Sequence, residues 1–214
     1  MQIAKKICFL LDIDNNWLSS YCINYKNKNK NKNRRIEIHY NFKKIKNYDY
    51  VFVLGYTKIL PKTFIEKNKL VTVIHESNLP KGKGVSPLQW QILQNKNIIK
   101  INLIKLESKV DSGDIILSDD LKFNGSELYD EIRKKQAEAT FKLIDKFLSK
   151  KICCYKKQKG KESFFRKRSP ADSKVDIKQS LKKSFNLLRI CNNEKWPAFF
   201  YYKNQKYILK IFKD

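Results

Sequence analysis

Short apolar runs bounded by charged or turn-forming residues recur through the first half of the chain. Residues 5–12, 50–54 and 70–74 each form such a run, which is typical of a strand buried on both faces. Between the first two runs we expect a helix from about residue 15 into a Lys/Asn-rich stretch, and then an alternating strand over 35–40. This order predicts an α/β fold with a mostly parallel sheet covered by helices.

The middle of the chain continues this pattern with one short and one long helix. A helix is predicted over 87–94, followed by a half-exposed strand over 98–106 and a short strand over 114–117. The clearest helix begins at Ser126, a predicted N-cap, and its terminal charges suit the helix dipole. A buried stripe at helical spacing runs along it: Leu128, Ile132, Ala139, Leu143 and Phe147.

The composition changes after residue 151. Residues 156–162 are polar and contain a glycine, so we predict a linker there. The pattern beyond it predicts a strand over 163–167 and a short helix over 176–190. Two further strands are predicted over 197–202 and 207–212, joined by a turn over 203–205. The chain therefore divides into an α/β domain over 1–156 and a small C-terminal appendage of helix and β-hairpin over 157–214.

The composition is that of a folded protein with an unusual charge. The 214 residues are 42% hydrophobic and 13% aromatic, which is enough apolar material for a sizeable core. The formal net charge of +25 has two explanations, nucleic-acid binding or a drift toward lysine in an Asn- and Ile-rich chain. We favour drift, because the excess spreads from Lys5 to Lys213 and arginine, which nucleic-acid sites prefer, is scarce.

The sequence gives no indication of a membrane segment, a signal peptide or a metal site. No apolar run approaches the roughly 20 residues that span a bilayer, and Asp12 interrupts the first run before any cleavage signal. The five cysteines lack metal-binding spacing, and only His39 and His75 are available to join them. We therefore expect a cytoplasmic protein with reduced thiols and no metal ion.

The strongest candidates for chemistry are His75 and Asp111. His75 follows an apolar run and opens a loop that contains Pro80, Gly82 and Gly84, and Asp111 follows the next strand. Functional groups of α/β proteins concentrate at strand ends that feed such loops. A His–Asp pair at neighbouring strand ends predicts acid/base catalysis, and a histidine that simply caps a strand is the structural alternative.

These residues belong to a longer pattern. It comprises His75, Ser77, Leu79, Pro80, Gly84, Pro87 and Trp90, and residues 110–116 complete it. Over residues 50–118 the pattern resembles the N10-formyltetrahydrofolate-dependent formyltransferases, in particular their methionyl-tRNA and sugar branches. Residues 168–176 and 185–199 resemble the interdomain segment of those branches. The resemblance implies a Rossmann-like domain that transfers a formyl group from N10-formyltetrahydrofolate to an amine.

The resemblance also implies a catalytic set. His75 would donate a proton to the formyl oxygen, and Asp111 would orient the ring and help move a proton to the folate nitrogen. The family has a catalytic asparagine two residues before the histidine, where this chain has Val73. Asn78, on the other side of His75, is therefore assigned to the catalytic set in its place.

Further residues are assigned to binding. Those expected to border the folate are Ser77, Leu79, Pro80 and Gly113. Those expected to contact the acceptor are Lys81, Lys83 and Trp90. For the lysines and the tryptophan the structural alternatives stay open, which are solvated surface lysines and a core aromatic residue.

The acceptor and the state of activity also stay open. The appendage is too short for the tRNA-binding domain of methionyl-tRNA formyltransferases, which favours a nucleotide-linked amino sugar of surface-glycan (lipopolysaccharide) synthesis. The alternatives are a methionyl-tRNA formyltransferase-like enzyme, an inactive relative, suggested by Val73, and, from another class, a basic nucleic-acid-binding protein. The aromatic residues Trp196, Phe199 and Phe200 pack inside the appendage or form the face of a homodimer.

Overall fold

A central β-sheet organises the protein. The computed structural model describes residues 4–13, 16–30, 32–149 and 154–214. Its strands are β1 (Lys5–Leu11), β2 (Arg34–His39), β3 (Tyr50–Leu54), β4 (Val71–His75), β5 (Lys83–Gly84), β6 (Ile98–Lys105), β7 (Ile115–Lys122), β8 (Phe164–Phe165), β9 (Ala198–Tyr202) and β10 (Gln205–Leu209). Six of them form the central sheet in the order β2-β1-β3-β4-β6-β7, and β5–β8 and β9–β10 form two small pairs.

The helices follow the predicted sequence order with one addition. They are α1 (Ser19–Lys28), α2 (Lys62–Glu66), α3 (Pro87–Leu93), α4 (Tyr129–Ser149) and α5 (Leu181–Ile190). α2 was not predicted, because five residues are too short for a helical period to be recognised. The start predicted for α1, residue 15, lies outside the described residues, and a 3-10 turn over Asn16–Leu18 precedes the helix.

The strand directions confirm the predicted α/β class with a mostly parallel sheet. β1 pairs in parallel with β2 and β3, and β3 with β4, whereas β4, β6 and β7 are joined by antiparallel pairing. β7 runs on to Lys122, although the sequence predicted its end at residue 117. It does so because β6 gives it a partner along its whole length, so the polar residues Ser118 and Asp120 continue the strand.

Two cores lie on opposite faces of this sheet. Ile7 and Phe9 of β1 enter the core beneath α1 and α4, whereas Cys8 and Leu10 enter the core beneath α2. Alternate residues of a strand point to opposite faces, so α4 and α2 cover different sides. β4 runs between these layers and ends at His75.

α4 begins three residues later than the cap predicted at Ser126. The backbone N–H of Leu128 donates to the Glu131 carboxylate at 2.9 Å, and the N–H of Ile132 donates to the Leu128 carbonyl at 2.9 Å. Ser126 instead bonds to the side chain of Asn124. The carboxylate of a first-turn glutamate, Glu131, thus accepts from a free backbone N–H at this helix end, the capping role that was expected of the Ser126 hydroxyl.

The appendage contains the predicted helix and hairpin with shorter bounds. Ser180 caps α5, since its side chain accepts from the N–H of Lys183. β9 and β10 are joined at Lys203 and Asn204, whose φ angles of 46° and 60° form the left-handed turn that a tight hairpin requires. The strand predicted over 163–167 is the two-residue β8. The division of the chain between residues 156 and 157 stays a prediction.

A buried ion pair ties α5 to the sheet domain. Arg189 is fully buried, and its Nη1 lies 3.5 Å from Oε2 of Glu127, which is also buried. Burial raises the pKa of Glu127. The hydrogen bonds from Lys135 and from the N–H groups of Asn124 and Gly125 lower it by more, so the net pKa is about 2. A buried guanidinium left without its countercharge is strongly destabilising.

The Glu127→Gln variant is expected to lose about 3 kcal/mol of stability at pH 7, because the buried Arg189 keeps its charge and loses its carboxylate. The folded-state pKa of Glu127 is depressed, so its contribution is present above about pH 4.5 and is lost as the pH falls toward 2. Urea unfolding between pH 2 and 7 should therefore show a shallower pH dependence in the variant. Glu138→Gln, which changes an exposed glutamate of α4, is the matched control, and an equal loss there would contradict the assignment.

Two features are absent from the described residues, a membrane-spanning helix and a metal site. No helix among them combines the length and apolar character needed to cross a bilayer. No three of their His, Cys, Asp or Glu side chains are grouped as a metal site.

Candidate active site

A cavity of about 420 Å³ opens at the carboxyl end of β4. The segments after β1, β3, β4 and β6 and one face of α4 contribute to its wall. Of the residues predicted for the site, His75 and Asp111 line this cavity. The structure therefore brings the predicted pair together at strand ends, where α/β sheets place ligands.

Both ring nitrogens of His75 face oxygen atoms. Nε2 lies 2.9 Å from the carbonyl oxygen of Gly82, and since a carbonyl only accepts, Nε2 carries a proton. Nδ1 lies 3.4 Å from Oδ2 of Asp111. The ring is 4% exposed. With Nε2 fixed on the loop, Nδ1 is the ring nitrogen that faces the carboxylate of Asp111.

Asp111 joins the two loops of the site. Its Oδ2 accepts from the backbone N–H of Gly84 at 2.8 Å while facing the ring of His75. Its φ of 47° lies in the left-handed region, which a residue with a side chain seldom occupies. Backbone of this kind is held in place by its surroundings and concentrates at functional sites.

One of those surroundings is the segment 156–165, which we call the strap. Gln158 of the strap donates from Nε2 to the carbonyl oxygens of Asp111 and Gly113, both at 2.8 Å. The sequence predicted a linker here, because the segment is polar. In the structure, Gln158 of this segment bonds to the backbone of the loop after β6 and so braces Asp111.

The strap also holds the loop after β4. Ser163 Oγ accepts from the N–H of Gly82 at 2.9 Å. Lys83, predicted to contact the acceptor, is 1% exposed, and its Nζ lies 2.7 Å from Glu162. Hydrogen bonds from Lys83 and Lys109 lower the pKa of the Glu162 carboxyl. Lys83 thus lies beneath the strap, and its ammonium is directed at Glu162 and not into the cavity.

The other predicted residues lie on the loops after β4 and β6 or on α3 and do not line the cavity: Asn78, Ser77, Leu79, Pro80, Lys81, Gly113 and Trp90. Asn78 and Lys81 are exposed. The Trp90 indole N–H donates to the Arg166 carbonyl at 2.7 Å, and its ring stacks on Phe165. Their assignments to the folate, the acceptor or catalysis stay predictions.

The cavity has two chemically different walls. One wall comes from the core beneath α2 and is apolar at Tyr56, Leu60, Val73 and Leu106, with Lys58 and Glu107 beside them on the same segments. The other comes from the opposite layer and is more polar: Trp17, Arg133, Gln136 and Thr140. Val73, which stands where the family has its asparagine, therefore offers only hydrocarbon to the cavity.

Sequence reasoning missed the contribution of α4. Gln136 donates to Oε1 of Glu76 at 2.6 Å and accepts from Nη1 of Arg133 at 2.8 Å. Thr140 lies one turn further along the same face. The signal was available in the sequence, because Arg133, Gln136 and Thr140 follow the i, i+3, i+7 spacing of a single helical face beside the apolar stripe.

The protein is thus an α/β protein with a His–Asp pair, of the kind used in acid/base catalysis, in a cavity at its strand ends. Residues 12–148 match the family model described as formyl transferase, and the chain belongs to this family. The membership predicted from the motif is confirmed.

Individual relatives fall into two branches. The chain is 30% identical over 179 residues to methionyl-tRNA formyltransferase of Thermodesulfovibrio yellowstonii, which is 80% of this chain and 56% of the relative. A methionyl-tRNA formyltransferase structure from Clostridium thermocellum superposes with a TM-score of 0.81 at 27% identity, covering 94% of this chain and 90% of that one. A 4-N formyltransferase from Francisella tularensis shares the fold, with a TM-score of 0.72, 19% identity and 98% of both chains covered. The chain spans about half the length of the curated methionyl-tRNA formyltransferases it matches.

Proposed function

We propose that this protein transfers a formyl group from N10-formyltetrahydrofolate to the primary amine of methionyl-tRNA. The observation that carries the proposal is the His75–Asp111 pair, which faces a cavity with two distinct walls. One wall is available for a donor and the other for an acceptor, as a transfer between two substrates requires. Membership of the formyl transferase family supports the nature of the transferred group.

The apolar wall fits the donor. Tyr56, Leu60, Val73 and Leu106 offer apolar surface to a flat ring system, as ligand cavities commonly do. When bound, N10-formyltetrahydrofolate supplies the formyl group. His75 lies at the end of β4 between this wall and the polar one.

The two catalytic side chains divide the proton transfers. Asp111 accepts the proton that the amine nitrogen loses as its bond to the formyl carbon forms. His75, held through Nε2 on Gly82, donates from Nδ1 toward the formyl oxygen and then to the departing folate nitrogen. A proton passed from Asp111 to Nδ1 over their 3.4 Å separation restores the pair. Positive charge on the imidazole also stabilises the oxygen, which Val73 cannot do.

The surface beside the cavity supports an RNA acceptor. The strap, which borders both catalytic loops, carries a series of exposed lysines: Lys156, Lys157, Lys159 and Lys161. Lysines arranged along a surface neutralise phosphates and drive sequence-independent affinity for nucleic acid. Together with the relatives at 30% and 27% identity, this charge favours methionyl-tRNA over the amino sugar suggested by the short appendage.

A nucleotide-linked amino sugar is the second candidate acceptor. One observation favours it, which is the match of the chain to the structure of a sugar N-formyltransferase from Shewanella sp. over 97% of both chains. An acceptor of this kind needs the cavity alone and no extended basic surface.

A panel of acceptors tests the proposal. We expect labelled formyl groups from N10-formyltetrahydrofolate to appear on methionyl-tRNA and not on nucleotide-linked amino sugars, with tRNA affinity falling steeply between 50 and 200 mM salt. Transfer to a sugar alone would establish the second candidate. Stabilisation by a folate analogue without transfer to any acceptor would identify an inactive relative.

A further inference from the structure

Arg133 is a cation in the cavity wall without a countercharge. No carboxylate of the described residues forms an ion pair with its guanidinium. Nη1 donates to Gln136 at 2.8 Å, and Nε is buried without a hydrogen-bond partner among the described residues. A buried donor without a partner is costly, so such groups in native proteins call for an explanation. An anionic ligand supplies one.

The guanidinium is also held in place before any ligand arrives. Its carbon lies 4.5 Å from the ring centre of Trp17 and 5.1 Å from that of Tyr129, within the range of cation–π attraction. Gln136, which accepts from Arg133, is itself fixed by its hydrogen bond to Glu76. Less side-chain entropy is therefore lost when a ligand binds, which increases affinity.

Among the described residues, the other charged residues that line the cavity form no ion pair with Arg133. Glu76 accepts from Gln136, which in turn accepts from Arg133. Asp111 faces His75, and Glu107 and Lys58 line the cavity on the segments after β6 and β3. The polar wall thus presents a guanidinium that has no ion-pair partner among the described residues, and its planar fork matches the oxygens of a phosphate.

We propose that Arg133, held by Trp17, Tyr129 and Gln136, binds a phosphate group of the acceptor substrate. The inference rests on the proposed function, since it takes the apolar wall as the place of the folate and the opposite wall as the place of the acceptor. Phosphate is common to both candidate acceptors, as the backbone of a tRNA end and as the diphosphate of a nucleotide-linked sugar. Arg133 thus fills the acceptor-binding role predicted for Lys83, whose ammonium group is paired with Glu162 of the strap.

Calorimetric titration of the full chain tests the subsite without relying on turnover. The probes are uridine diphosphate and a short single-stranded RNA, each compared with its nucleoside. We expect the wild type to prefer the phosphorylated probes, and Arg133→Gln to weaken that binding at least tenfold. Arg133→Lys should lie in between, because it keeps the charge and loses the fork. A stronger effect on the RNA points to tRNA as the source of the phosphate, and a stronger effect on the diphosphate to a nucleotide sugar.

The control removes an arginine elsewhere. Arg35 on β2 is exposed and paired with Glu37, and Arg35→Gln should change the affinities less than twofold. Equal binding of the phosphorylated probes by wild type and Arg133→Gln overturns the subsite, as does a wild type that prefers none of them. A folate analogue separates this failure from that of the proposed function: it should stabilise wild type and Arg133→Gln equally, and its failure to stabilise the wild type counts against the function itself.

Discussion

The His75→Gln variant is expected to transfer formyl groups about a hundred- to ten-thousandfold more slowly than the wild type. The glutamine amide can still donate to the Gly82 carbonyl in place of Nε2, so the loop after β4 keeps its anchor. It cannot exchange a proton with Asp111, which lies 3.4 Å from Nδ1 in the wild type. Single-turnover transfer measures the rate, and thermal stabilisation by a folate analogue, expected to be unchanged, shows that the pocket persists.

The other histidine of the chain is the matched control. His39 lies on β2, where its Nε2 is 3.0 Å from the hydroxyl of Tyr48 and 3.2 Å from Glu37. His39→Gln should leave the transfer rate within about twofold, because it removes the same side chain from a position outside the cavity. A rate for His75→Gln equal to that of His39→Gln would exclude His75 from the proton transfers.

The positions of the buried strands could be predicted because burial imposes a local pattern. A strand covered on both faces needs continuous apolar residues, and the runs at 5–12, 50–54 and 70–74 correspond to β1, β3 and β4 within about one residue. The location of His75 at the end of β4 followed directly. The end of β7 could not be predicted in this way, since one strand partner sufficed to extend it through polar residues.

The strap could not be read from the sequence, because its partners lie far away along the chain. Glu162 pairs with a lysine 79 residues earlier, and Gln158 bonds to a carbonyl 47 residues earlier. A polar segment that stays hydrated by water and one that hydrogen-bonds to a distant loop can have the same composition. The assignment of Lys83 to the acceptor depended on its being at the surface, which the strap prevents.

The residues of the candidate site also divide into those that a local sequence pattern locates and those that it does not. His75 and Asp111 were found because strand ends can be located from local patterns. Arg133 and Gln136 were not predicted, because only the apolar stripe of their helix was recognised, although both line the cavity. Which edge of a helix meets a cavity depends on how the helix is rotated on the sheet, and hydrophobic periodicity fixes that only to within a broad stripe.

The Gly113→Ala variant is expected to lose about 3 kcal/mol of stability or more, and to lose formyl transfer in the fraction that folds. Gly113 does not have a positive φ, so the backbone conformation itself is no obstacle to alanine. A Cβ at this position would overlap the carbonyl oxygen of Lys105, which is backbone and cannot rotate away. The segment must therefore shift, and with it the carbonyl that Gln158 binds and the neighbouring Asp111. Chemical unfolding and single-turnover transfer measure the two effects.

Gly160→Ala separates this overlap from the general effect of adding a methyl group. Gly160 lies in the strap with a φ of 113°, and an added Cβ there would meet no atom within 4 Å. Its expected cost is the conformational one, about 1 kcal/mol, with little change in transfer rate. A Gly113→Ala protein as stable as Gly160→Ala would show that β6 and the loop after it can separate without loss. If that protein also kept its transfer rate, Asp111 would not depend on the placement of this loop, and the bracing by Gln158 would have no role in catalysis.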